Sequence, residues 1–101
     1  MGVRSRSPLP GASNQYGLSI AGTVVSLTVP DAAMCAEIYV RTASIVFTRG
    51  GTDPTATQGF QADPGDIIML NSRAELDRFE AIRQGGTSAT VDVEYFSDIS
   101  G

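Results

Sequence analysis

The chain lacks histidine, lysine and tryptophan, and it contains a single cysteine, Cys35. Histidine and lysine are the bases that most often activate a serine or cysteine nucleophile. One cysteine allows no intramolecular disulfide, and zinc sites need more Cys and His ligands than are present. Cys35 lies between Met34 and Ala36, which predicts a buried thiol rather than a redox sensor. We therefore expect no enzymatic activity and no cofactor.

Long hydrophobic runs are also missing. No apolar stretch approaches the roughly 18 residues of a membrane-spanning helix. The N-terminal segment is positively charged but lacks the apolar stretch of a signal peptide. We therefore expect synthesis in a cytoplasm and no membrane partner.

The charges divide the chain into two parts. Residues 1–15 are rich in Arg, Ser, Pro and Gly and carry Arg4 and Arg6 with no acid, whereas the remainder holds five arginines against eleven acids. An acidic body disfavours nucleic acid as a partner, because phosphate contacts need clustered basic residues. We predict an extended docking arm over residues 1–16 and a folded domain over residues 17–101. The predicted partner-binding residues of the arm are Arg4, Arg6, Pro8, Leu9 and Pro10.

Alternating apolar and polar residues predict strands along most of the body. In residues 89–96, Val91, Val93 and Tyr95 share one face while Asp92 and Glu94 share the other. Similar alternation runs over residues 23–29, 37–41 and 43–49, a first short strand is expected over residues 16–21, and the apolar run 67–70 predicts a strand buried on both faces. Seven or eight short strands predict an all-β fold, an antiparallel β-sandwich of jelly-roll or immunoglobulin-like type.

The inward positions of these strands form the expected core. It comprises Val25, Leu27, Ile38, Val40, Ile45, Phe47, Ile68, Leu70, Phe79, Ile82, Val91, Val93 and Tyr95.

Turn formers separate the strands. The tetrad 63–66 (DPGD) predicts a turn that uses both aspartates, with calcium binding there as the less favoured reading. The pairs Gly50-Gly51 and Gly85-Gly86 predict hairpin turns rather than phosphate loops, because neither pair is followed by the P-loop lysine.

Residues 72–84 allow two interpretations. Ser72 and Glu75 have the spacing of a capping box, and Leu76, Phe79 and Ile82 recur at helical spacing. Alternatively, a short turn is followed by a strand that ends near Arg83. We favour a single helical turn followed by a strand.

Four aromatic residues do not fit the core pattern and are candidate interface residues: Tyr16, Tyr39, Phe60 and Phe96. Exposed together they would form a contact patch, whereas singly they would cap the ends of the sandwich. Asp92 and Glu94 point the same way from their strand, and a solvated face explains them better than a glycosidase pair.

Residues 24–96 resemble small structural proteins of tailed bacteriophages and prophages. The shared motifs lie at residues 27–30 (LTVP), 51–55 (GTDPT), 65–70 (GDIIML), 76–79 (LDRF) and 90–95 (TVDVEY). The resemblance implies a virion part, made in the cytoplasm of a bacterial host. Its motifs are structural rather than catalytic, and the N-terminal arm lies outside the match.

A small β-domain with an arm is best suited to a capsid cement or decoration protein. Such a subunit would bind the major capsid protein or another virion protein, with the arm ordering on a neighbouring subunit. A homo-oligomer is expected, with a trimer favoured. The alternatives are a neck, tail or baseplate component and a carbohydrate- or receptor-binding module.

Overall fold

A computed structural model describes the backbone of residues 4–100 and the side chains of residues 8–11 and 13–97. The described part is nearly all β, as predicted, with one short α-helix and a 3-10 helix at Gly11–Ser13. The elements are β1 (Arg4–Pro8), β2 (Gln15–Ile20), β3 (Val25–Ser26), β4 (Cys35–Val40), β5 (Ile45–Thr48), β6 (Phe60–Ala62), β7 (Ile67–Leu70), α1 (Arg73–Arg78), β8 (Glu80–Arg83) and β9 (Ala89–Ser100).

The strands form two antiparallel sheets. In the five-stranded sheet, β4 and then β7 lie on one side of β9. On its other side, β2 pairs with the first part of β9 and β1 with the last part. The four-stranded sheet has the order β3-β8-β5-β6.

The strand order identifies the sandwich as a jelly roll. Strand β2 pairs with β9, β3 with β8, β4 with β7, and β5 with β6. These nested pairs alternate between the two sheets, so the chain behaves as one long hairpin rolled across its width. An immunoglobulin-like sandwich divides its strands differently. The predicted β-sandwich is therefore confirmed, in the first of its two expected forms.

The core lies between the sheets and contains most of the residues expected there. Ten of the predicted core residues are buried: Ile38, Val40, Ile45, Phe47, Ile68, Leu70, Phe79, Val91, Val93 and Tyr95. Val25 and Leu27 are only partly buried. Ile82 was predicted inside but is half-buried, because the helix ends at Arg78 and Ala81 then faces the core from β8.

Two local predictions are wrong. Strand β7 is not buried on both faces: Ile67 is 59% exposed. Ile67 lies on the outer face of its sheet, opposite Tyr39 of β4, which is exposed as well, whereas Ile68 and Leu70 face the core. Gly85-Gly86 does not form a hairpin, because β8 and β9 belong to different sheets and the connection crosses between them.

The interpretation of residues 72–84 as a helical turn and a strand is confirmed. The Ser72 hydroxyl accepts a hydrogen bond from the Glu75 amide at 3.2 Å, which caps α1. The Glu75 carboxylate in turn accepts from the Asn71 amide at 2.7 Å. Arg73, in the first turn of the helix, donates to the carbonyls of Pro30 and Ala33 and so ties α1 to the loop before β4.

The last strand extends past the sandwich. Strand β9 continues to Ser100, whereas β4 pairs with it only as far as Phe96, and β1 pairs with residues 96–100. The result is a two-stranded ribbon at one end of a molecule that measures 47 × 25 × 21 Å. Within residues 4–100, no helix has the length and apolar character needed to cross a membrane.

Candidate functional site

The outer face of the five-stranded sheet brings polar and aromatic side chains into two rows. In one row, Tyr39 on β4 lies opposite Ile67 on β7 and Asp92 on β9. In the next row, Glu37 on β4 lies opposite Met69 and Glu94. All these residues alternate with core residues along their strands, so they point away from the core.

A bulge in β2 completes this face. The register of β2 against β9 shifts between Gln15 and Leu18, and Gly17 adopts a positive φ of 70°. The Gly17 amide donates to Asp92 at 2.8 Å, and the Tyr16 hydroxyl donates to Glu94 at 2.9 Å. Tyr16 is thereby held over β9, beside the two rows.

Three large apolar side chains on this face are open to solvent. Tyr16 is 58% exposed, Tyr39 41% and Ile67 59%. A shallow cavity of about 250 Å³ lies among them. We call this surface the tyrosine–acid face and define it by Tyr16, Glu37, Tyr39, Ile67, Asp92 and Glu94.

The tyrosine–acid face carries three carboxylates, and each of them already interacts with another group of the chain. Arg41 borders the face, with its Nη1 atom 2.8 Å from Asp92 Oδ2 and its guanidinium carbon 5.7 Å from the Tyr39 ring centroid. The hydrogen bond to the Glu94 carboxylate raises the pKa of the Tyr16 hydroxyl. The face therefore combines partnered carboxylates with aromatic surface.

A second cavity, of about 370 Å³, opens between the edge strands β6 and β7. The Arg49 guanidinium carbon lies 5.7 Å from the ring centroid of Phe47 and 6.0 Å from that of Phe60. Phe60 is 61% exposed beside this cavity. This groove is lined by polar as well as apolar side chains, and it has one carboxylate, Asp66, where the tyrosine–acid face has three.

The four predicted interface aromatics do not form one patch. Tyr16 and Tyr39 share the tyrosine–acid face, and Phe60 is exposed on the other sheet. Phe96 is only half-buried and lies on β9 opposite Cys35 and Pro8. Three of the four are therefore exposed, but only Tyr16 and Tyr39 lie together, and an interface role stays a prediction for all four.

The predicted arm residues divide into two groups. Arg4 and Arg6 belong to β1, where they pair with Ser100 and Asp98 of β9; their side chains lie outside the described residues. Pro8 and Pro10 are exposed, while Leu9 packs against the core. The docking role of the arm, and its boundary at residue 16, remain predictions.

The two aspartates of the turn at residues 63–66 form hydrogen bonds within the chain. Asp63 and Asp66 close their turn: the Asp63 amide donates to Asp66 Oδ2 at 2.8 Å, and the Asp66 amide donates to the Asp63 carbonyl at 2.9 Å. Hydrogen bonds from Gln61 and Ser44 lower the pKa of Asp63.

Cys35 is buried, as predicted. Among the described residues, no group of three His, Cys, Asp or Glu side chains is arranged to hold a metal ion.

Sequence reasoning missed Glu37 and Ile67 as members of the site. Glu37 had a usable signal, since it precedes Tyr39 by two positions on the same alternating strand. Ile67 had none, because an unbroken apolar run does not show that one face of β7 is left open to solvent.

Comparisons with protein-family models, with curated proteins and with solved structures find no match to this chain.

Proposed function

We propose that this chain is a structural protein of a tailed-phage virion, a capsid cement or decoration subunit that docks on the head shell. The observation that carries the proposal is the tyrosine–acid face, where Tyr16, Tyr39 and Ile67 are exposed beside three carboxylates. Contiguous exposed apolar side chains with a polar rim are typical of protein interaction surfaces.

Two further features support an assembly role. The jelly roll is a common architecture of viral capsid domains, which supports the proposal by analogy of fold alone. In addition, the β1–β9 ribbon begins with a segment that carries Arg4 and Arg6 without acids, so it is suited to an acidic surface on a neighbour.

The direct test is quantitative mass spectrometry of particles purified from the host that carries the gene. A cement subunit is expected at a constant high ratio to the major capsid protein. A low constant ratio would instead favour the neck, tail or baseplate. Absence from purified particles would overturn the proposal.

The contribution of the arm is tested with the double variant Arg4→Glu/Arg6→Glu. If the arm docks through charge, attachment to particles lacking the chain weakens, and the difference from the unmodified chain shrinks as salt is added. Unchanged attachment at low salt would contradict an electrostatic role for the arm.

A carbohydrate-binding module is the second candidate, favoured by the cavity between Tyr16 and Tyr39. Lectin domains also use jelly rolls, and tyrosine rings with nearby carboxylates suit sugar faces and hydroxyls. A glycan array with the purified chain decides this: a saturable signal that Tyr39→Ala abolishes would favour the module over the cement subunit.

A further inference from the structure

We propose that strand β7 is a docking edge for a second copy of this chain, which pairs antiparallel with it through its own β7. A two-fold axis then relates the two copies and passes between their Ile68 residues. This inference goes beyond the proposed function, and it holds whether or not the chain is part of a virion.

One edge of β7 is open in the single chain. Within residues 4–100, β7 pairs with β4 and with no other strand. The Val40 amide donates to the Asp66 carbonyl at 3.0 Å, and bonded and non-bonded positions alternate along an antiparallel pair of strands. Counted from Asp66, alternate residues of β7 bond to β4, so Ile67 and Met69 direct their amides and carbonyls to the open edge.

The other sheet edges carry features that hinder strand addition, and β7 does not. The edge formed by β1 and β2 has a bulge at Gly17 and a proline, Pro8, at the end of β1. Strand β3 has two residues and β6 has three. Proteins protect open edges with bulges, prolines, charges and very short strands. The four residues of β7 include no charge and no proline, and Ile67 is 59% exposed, so this edge is suited to pairing with another strand.

A second β7 satisfies this edge in one register. When Ile67 lies opposite Met69 of the second copy, and Met69 opposite Ile67, each pair exchanges both of its backbone hydrogen bonds and every outward amide and carbonyl is used. Ile68 then faces its own copy at the two-fold axis. Because β7 carries no charge, the axis brings no like charges of the strand together. An edge that is complementary to itself is the property of a two-fold interface, which is why we assign a second copy as the occupant.

The pairing joins the two five-stranded sheets into one. The two-fold axis is perpendicular to the sheet, so the tyrosine–acid faces of both copies lie on the same surface of the dimer. The cavity of about 370 Å³ between β6 and β7 faces the second copy. A four-residue strand buries a small area, so we expect a weak dimer that dissociates on dilution.

The test combines light scattering of the full chain over a range of concentrations with amide hydrogen exchange. We expect twice the monomer mass at high concentration and the monomer mass after dilution. The amides of Ile67 and Met69 should exchange rapidly in the monomer and become protected in the dimer. The amides of Ile68 and Leu70, which bond to β4, should be protected in both states.

Charge variants test the register. Ile67→Glu and Met69→Lys should each weaken the dimer about fivefold, because an apolar pair is lost twice in the symmetric interface. An equimolar mixture of the two variants should restore pairing, since the glutamate introduced in one copy lies opposite the lysine introduced in the other. Ser19→Glu adds the same negative charge at an exposed position on the opposite edge of the sheet, and it should leave dimerisation unchanged.

Three results would overturn the proposal. They are a monomer at every concentration, an oligomer in which the Ile67 and Met69 amides gain no protection, and a mixture of the two variants that pairs no more tightly than either variant alone. The exchange measurement uses the unmodified chain, so it remains decisive if a variant fails to fold. The composition of purified particles tests the virion role separately.

Discussion

Among single residues, Glu80 carries an electrostatic cost that should appear in the pH dependence of stability. Its Oε1 atom is buried without a hydrogen-bond partner. Burial is the largest cause that raises the pKa of Glu80 above its ordinary value of 4.5. A hydrogen bond to the Asp53 carboxyl and the charge of Asp53 raise this pKa further. The folded state therefore binds the proton more tightly than the unfolded state, and this stabilisation is lost as pH rises through the raised pKa.

The variant Glu80→Gln should relieve this cost at neutral pH. The difference in melting temperature, variant minus unmodified chain, is expected to increase from about pH 4 to about pH 7, because glutamine does not ionise. Thermal unfolding across that range measures the effect, with Asp31→Asn as the control for removal of one charge. A difference in melting temperature that is the same at every pH would contradict a raised pKa of Glu80.

Tyr95 is a second residue with a testable role. It is fully buried, its burial raises the pKa of its hydroxyl, and that hydroxyl donates to Gln15 Oε1. Tyr95→Phe should lower the free energy of unfolding by about 1 kcal/mol, since one buried hydrogen bond is lost and its volume is kept. Denaturant unfolding gives the value, and Tyr39→Phe on the exposed face should have almost no effect.

At the level of elements, the connection from β5 to β6 depends on Gly59. Gly59 has φ of +130°, and a Cβ there would lie 2.7 Å from Val46 Cγ1 and 2.9 Å from the Phe47 carbonyl oxygen. Gly59→Ala should therefore cost about 2 kcal/mol or more, through both strain and overlap. Gly85→Ala is the matched control, because an added Cβ there meets nothing within 4 Å. Equal unfolding free energies for the two variants would refute this account.

The elements also explain which features the sequence could predict. Alternation in β9 correctly placed Val91 and Val93 inside and Asp92 and Glu94 outside, because the direction of a strand side chain is a local property. The capped helix α1 was equally local, set by Ser72 and Glu75.

The candidate site was predictable only in part, because its residues meet through distant pairing. Tyr16 and Glu94 are 78 positions apart, yet their side chains are hydrogen-bonded. Their contact depends on the bulge in β2, which alternation does not predict. The exposure of Ile67 likewise depends on which face of the sheet packs against the core.

On the scale of the whole molecule, the N-terminal segment has two parts that should respond differently to truncation. Residues 4–8 pair with residues 96–100 at the end of β9, and β4 reaches only the first of these, Phe96. Residues 9–15, in contrast, serve the body: Leu9 packs on the core, Asn14 Oδ1 accepts from the Tyr95 amide at 3.0 Å, and Gln15 accepts from the Tyr95 hydroxyl.

Deletion of residues 1–8 should therefore leave the jelly roll folded, whereas deletion of residues 1–15 should destabilise it by several times the roughly 1 kcal/mol of a single hydrogen bond. Circular dichroism and thermal unfolding of the two truncated chains measure this difference in stability.

Light scattering of the chain that lacks residues 1–8 shows whether the cationic segment is required for oligomerisation. If the arm joins subunits of a trimer, the full chain has three times the monomer mass and the 1–8 deletion has the monomer mass. A trimer that survives this deletion would place the subunit contacts on the body instead, and equal stability of both truncations would contradict the division of the segment at Pro8.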